Sequence, residues 1–125
     1  MYKVIIDGDN VPLEKFFNIV EPILNKDYVD YDIPLLICQS NIIIKYKRGH
    51  YFNINFMCSE TNKKNSSDAR IIYETGKLNT LGHKVIIVSN DNIYREIEGD
   101  DVILIQFDAS NKERNQKKVA DSDSE

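Results

Sequence analysis

Asp7, Asp9 and Asn10 close the apolar run Val4-Ile5-Ile6, Asp91 follows the run Val85-Ile86-Ile87-Val88, and Asp68 stands where a polar loop gives way to helical spacing. Three carboxylates gathered in one cleft would repel one another, and a divalent cation is what makes such a set stable. Ligands that are oxygen alone suit Mg²⁺ or Mn²⁺. A cation held in this way activates water and stabilises in-line displacement at a phosphodiester. Each acid taken singly has a plainer role, because Asp is a common turn and cap residue. Chemistry is therefore expected of the set Asp7, Asp68 and Asp91, two after strands and one at a helix start.

The elements that must position them can be read from periodicity. Residues 2–6 form a β-branched run ended by a polar turn and predict a buried strand. Apolar residues at helical spacing predict an amphipathic helix over 12–26, with Pro12 in its first turn, Asn10 as its cap and Pro22 bending or shortening it. A second strand is expected over 33–38, and 41–48 reads equally as helix or strand. Residues 51–57 alternate, with Phe52, Ile54 and Phe56 on one face, as a half-buried strand does. After a polar loop, Ser66 or Ser67 can cap a helix whose first turn holds Asp68, where the dipole favours a carboxylate. Gly82 ends that helix, 84–88 is the clearest strand, 93–97 is a short helix and 102–107 a last strand. Strands alternating with helices predict a single three-layer α/β domain, Rossmann-like, with a mostly parallel central sheet. Ligands of such sheets bind beyond the carboxyl ends of the strands, the edge to which all three acids are assigned.

The chain has 125 residues, enough for one domain with a sizeable core. Residues 1–108 form that domain, and 109–125, without periodicity and rich in charge, read as a disordered tail. No apolar stretch approaches a membrane span, and the first apolar run stops at Asp7, unlike a signal peptide. Cys38 and Cys58 lack a CxxC partner or a His cluster, so two reduced thiols at strand ends are expected, not a zinc site. These features point to a cytoplasmic protein without membrane contact; a homodimer is one arrangement the sequence leaves open.

The net charge of −4 gives no global attraction for nucleic acid, so any such contact must be local. The stretch 45–52 offers Lys45, Lys47, Arg48 and Tyr51, with Lys63 and Lys64 just before Asp68. Cations meet phosphates and tyrosines stack on unpaired bases, which points to single-stranded RNA; a solvated hairpin is the plainer account. His50 and His83 read as structural or surface residues.

Val4-Ile5-Ile6-Asp7-Gly8-Asp9-Asn10-Val11 resembles the opening motif of the PIN-like superfamily, especially its NYN-type branch. Ser67-Asp68-Ala69-Arg70-Ile71 resembles the second motif, and Val85-Ile86-Ile87-Val88-Ser89-Asn90-Asp91 the third; the resemblance covers about residues 2–107. It implies a Mg²⁺- or Mn²⁺-dependent ribonuclease whose metal ligands and catalytic acids are Asp7, Asp68 and Asp91. Asn10 would then hold the first loop or a ligand water, Ser89 would orient Asp91, and Asp9 would support the set or serve the turn. One departure is Ile93, where the family often carries a further acid, followed by Phe; here Tyr94 follows, and Glu96 is the nearest substitute.

Two other readings compete. Asp7-Gly8-Asp9-Asn10-Val11 also fits the nucleophile motif of haloacid dehalogenase-like phosphatases, with Asp7 attacking phosphorus. Too little chain follows Ser89 for that family's remaining motifs, and Asp68 is left without a role. The second is a PIN-like scaffold that has lost an acid and binds RNA without cleaving it.

Overall fold

The Val-, Ile- and Leu-rich runs become the strands of one sheet: β1 (Tyr2–Asp7), β2 (Leu35–Cys38), β3 (Asn55–Cys58), β4 (Lys84–Val88) and β5 (Val102–Ile105). The structure is a computed structural model describing residues 1–29, 34–39, 41, 42, 45, 54–59, 63 and 65–107. Strand order is β3-β2-β1-β4-β5, and every pairing of these strands is parallel. The central strands are covered on both faces, which is why β4 is buried at four successive positions and reads as a continuous apolar run. Edge strand β3 carries a mixed burial pattern instead.

Among the described residues, α1 (Phe16–Leu24) and α2 (Ser66–Thr80) cover the faces, and residues 41, 42 and 45, in the stretch that read equally as helix or strand, are helical. Val4 and Ile6 of β1 join Phe16, Val20 and Ile23 of α1 in one core, while Ile5 joins Ile71 of α2 and Tyr94 in the other. Asp7 continues the odd-numbered side of β1, so the two-residue period sends it to the α2 side. A one-residue register shift would send it to α1.

Local chemistry revises several boundaries. The first helix begins later than 12, because the chain passes through a 3₁₀ turn, Leu13–Lys15, with Pro12 at its N-cap and no side-chain cap. It ends at Leu24, two residues beyond Pro22, which has no N–H for the ladder. Helix α2 begins after Asn65, in the left-handed region at φ 67, and neither Ser66 nor Ser67 is its cap. The Ser66 hydroxyl instead donates to Ser59 Oγ at 3.1 Å. Asp68 does lie in the first turn. Gly82, at φ 89, closes the helix, with the His83 N–H bonded to the Leu78 carbonyl, as a C-terminal glycine should. The strands expected over 33–38 and 102–107 are shorter among the described residues, as β2 and β5; the described part of 51–57 gives β3, which starts at Asn55 and runs on to Cys58; the helix expected over 93–97 is a 3₁₀ helix, Asn92–Ile97. Residue 33, residues 51–53 and the 109–125 tail lie outside the described residues. No described helix is long and apolar enough to cross a membrane.

Candidate active site

In this strand order β1 and β4 are neighbours from which the chain winds outward in opposite directions, so their carboxyl ends flank the topological switch point. Asp7 ends β1, and Ser89-Asn90-Asp91 follows β4. Helix α2 brings Asp68 to the same place. Asp7 is 2% exposed and Asp68 8%, an unusual depth for carboxylates that have no cationic partner among the described residues.

Hydrogen bonds lace this edge together. The Ser89 hydroxyl donates to Asp7 Oδ2 at 2.8 Å and accepts from the Asp91 N–H at 3.0 Å. Ser89 thus holds the Asp7 carboxylate and the Asp91 backbone, where the resemblance implied that it would orient Asp91. Asn10 does not cap a helix: its Oδ1 accepts from the Asn90 N–H, tying the β1 loop to the β4 loop. Asp9 is exposed and braces the β1 loop to the end of β2, accepting from the Gln39 N–H at 2.9 Å. Asp91 caps the 3₁₀ helix by accepting from the Ile93 N–H, which is the plain role its position allows. Gly8 leaves no room for a side chain, because a Cβ would lie 2.5 Å from Leu36 Cδ2 and 2.8 Å from Cys38 Cβ. The loop between Asp7 and Asp9 is thereby pressed onto β2.

Tyr94 is the residue that sequence reasoning did not single out. It is fully buried, and its hydroxyl stands 3.2 Å from Asp7 Oδ2 and 3.0 Å from Asp68 Oδ1. A phenol has one proton and can donate it to one carboxylate. The second contact is favourable when that carboxyl carries a proton of its own or a positive charge compensates the pair. The available signal was a Tyr at an otherwise apolar position, since a buried Tyr needs a polar partner.

The electrostatics follow from this crowding. Desolvation pushes Asp7 up from 3.8 to about 7; the Ser89 hydrogen bond opposes the rise, and the charges of Asp68 and Asp9 add to it. Asp68 is raised as well, first by desolvation, with the Tyr94 hydrogen bond opposing and nearby Asp91 adding to the rise. Burial and the two carboxylates hold the Tyr94 phenol far above its ordinary value, so it remains protonated. Asp7 Oδ1 is buried and finds no hydrogen-bond partner among the described residues. Such an orphaned acceptor costs about 1–3 kcal/mol or more when charged.

The donors fit a hard divalent cation in kind: carboxylate oxygens only, one of them orphaned. They do not yet form a coordination sphere, for among the described residues no three His, Cys, Asp or Glu side chains stand together as a metal-holding group. Tyr94 lies between Asp7 and Asp68, and Asp91 is engaged with its own helix. Ile93, where a further acid was expected, is 41% exposed. Glu96 is exposed and makes no hydrogen bond or ion pair to the three acids among the described residues.

Beside the acids, Gly8, Asp9, Val11, Glu14, Ile42 and Lys45 help to line a cleft of about 360 Å³. Lys45 is exposed there, and Lys63 is also exposed, its carbonyl accepting from the Gln39 side chain. Lys47, Arg48, Tyr51 and Lys64 lie outside the described residues. Cys38 is buried with its thiol pushed up to about 12, chiefly by desolvation, and Cys58 is exposed; both are free, as expected. Comparison of the chain with protein-family models, with curated proteins and with solved structures gave no match.

Proposed function

We propose that the edge built from Asp7, Asp68 and Asp91 takes a Mg²⁺ or Mn²⁺ ion and hydrolyses phosphodiester bonds in single-stranded RNA. The observation that carries this reading is the orphaned, buried Oδ1 of Asp7, beside Asp68; burial and mutual repulsion have made these two carboxylates costly to charge. A protein gains nothing in stability from such a group, and strongly perturbed acids at a cleft are the mark of a functional site. When bound, the cation supplies Lewis acidity at the phosphodiester and a more acidic attacking water. Asp7, Asp68 and Asp91 would hold it. Ser89 and Asn10 keep the β1 and β4 loops in register, so the acids do not splay. Lys45 lines the neighbouring cleft and would meet a backbone phosphate there. The choice of RNA rests on the motif resemblance and on the lysine- and tyrosine-rich stretch around Lys45.

A second reading is favoured by the engaged state of Asp91 and by Ile93: a scaffold that binds RNA and does not cut it. Cleavage of a labelled single-stranded RNA separates the two. The nuclease reading expects cleavage with Mn²⁺, its loss in EDTA, and a fall of at least about 100-fold in Asp68→Asn, since even outer partners of a metal site cost 10- to 100-fold. RNA binding of equal strength with Mn²⁺ and EDTA, without cleavage, would establish the scaffold instead.

A further inference from the structure

Tyr94 grips the acid cluster from beneath. Its ring belongs to the α2-side core with Ile5, Ile71 and Ile87, so the hydroxyl is carried on a part that cannot shift without repacking that core. The hydroxyl meets one oxygen of each carboxylate, Asp7 Oδ2 and Asp68 Oδ1, and Ser89 meets the same Asp7 oxygen. The result is a division of labour among the oxygens. Those facing Tyr94 are engaged, whereas Asp7 Oδ1 is left without a partner among the described residues. The Ser89 hydrogen bond, joined by that of Tyr94 when its one proton points to Asp7, restrains the rotation of the Asp7 carboxyl plane, and therefore the direction of the other oxygen.

We propose that Tyr94 is a positioning residue for a divalent cation: its hydroxyl stands against Asp7 Oδ2 and Asp68 Oδ1 and, with Ser89, sets the direction of the unpartnered Asp7 Oδ1 as a ligand. This rests on the cation-site reading given above and adds to it a residue that touches neither cation nor substrate. Ligating carboxylates are ordinarily oriented by hydrogen bonds of this kind, and the hydroxyl here stands within reach of two of them, donating its one proton to one at a time. A merely structural tyrosine, satisfying its own buried hydroxyl, would affect stability and leave cation affinity alone.

Calorimetric titration of Mn²⁺ into the full chain, with the wild type compared to Tyr94→Phe, tests this. Phe keeps the ring in the core, and circular dichroism in EDTA checks that the variant is folded. The proposal expects binding by the wild type and affinity weakened about 10- to 100-fold in the variant. Equal affinity in the two folded proteins overturns the positioning role and leaves the cation site standing. Absence of binding to the wild type overturns the site, and the positioning role with it. A second measurement needs no substitution: ¹³Cζ-tyrosine NMR of the wild type during Mg²⁺ titration. The Tyr94 resonance should move and saturate with binding; a resonance unmoved at saturation overturns the proposal even if Tyr94→Phe fails to fold.

Discussion

Asp7→Asn is expected to make the cation-free protein more stable at about pH 8, and the gain should disappear near pH 4. Asp7 titrates at about 7 in the folded chain against 3.8 ordinarily. Between those values the native state keeps a proton that the unfolded chain has lost, so stability falls as pH rises. The stability tied to this proton is fully present below 3.8 and lost through about 7. A shift of roughly three units corresponds to about 4 kcal/mol. The Asn amide nitrogen, left without a partner in the place of Oδ1, takes back about 1–3 kcal/mol, so the net gain is about 1–3 kcal/mol. Urea unfolding in EDTA across this pH range measures it. Parallel curves for wild type and variant would contradict the assignment of a buried, proton-holding Asp7.

The second large effect concerns Asp91, which has two separable roles. It caps the 3₁₀ helix through the Ile93 N–H, and it adds charge beside Asp68. Asn caps about as well as Asp, so Asp91→Asn should unfold within about 0.5 kcal/mol of the wild type, whereas Asp91→Ala should lose about 1 kcal/mol. Cleavage, by contrast, should fall at least about 100-fold in both, because both remove the charge. Single-turnover cleavage beside thermal melts gives the comparison. An Asn variant that cuts RNA like the wild type would reduce Asp91 to a cap.

What could be read in advance divides by distance along the chain. That Asp7 and Asp91 each follow a strand is local information, written in an apolar run and the polar turn after it. The alternation of strand and helix likewise carried the α/β class. The neighbouring of β1 and β4, which makes those turns a switch point, depends on the order in which the strands assemble, and no local pattern encodes it. Asn10 illustrates the limit. Its spacing to Pro12 suits a helix cap, yet its acceptor oxygen is taken by Asn90, 80 residues away. Ser66 and Ser67 have cap chemistry, but the turn at Asn65 and the Ser59 hydroxyl settle the helix start differently. Tyr94 is the clearest case: its partners are 87 and 26 residues distant, so its polar end had no visible use in the sequence. Gly8 is another, because the close approach of Leu36 that excludes a side chain belongs to a different strand.

The central claim is that these acids hold a divalent cation, and Mn²⁺ binding followed by electron paramagnetic resonance tests it most directly. The account predicts Mn²⁺ bound by the wild type at a site from which Mg²⁺ displaces it, with affinity reduced at least about 100-fold in Asp7→Asn. Free Mn²⁺ undiminished by the wild type, or binding unchanged in Asp7→Asn, would contradict it.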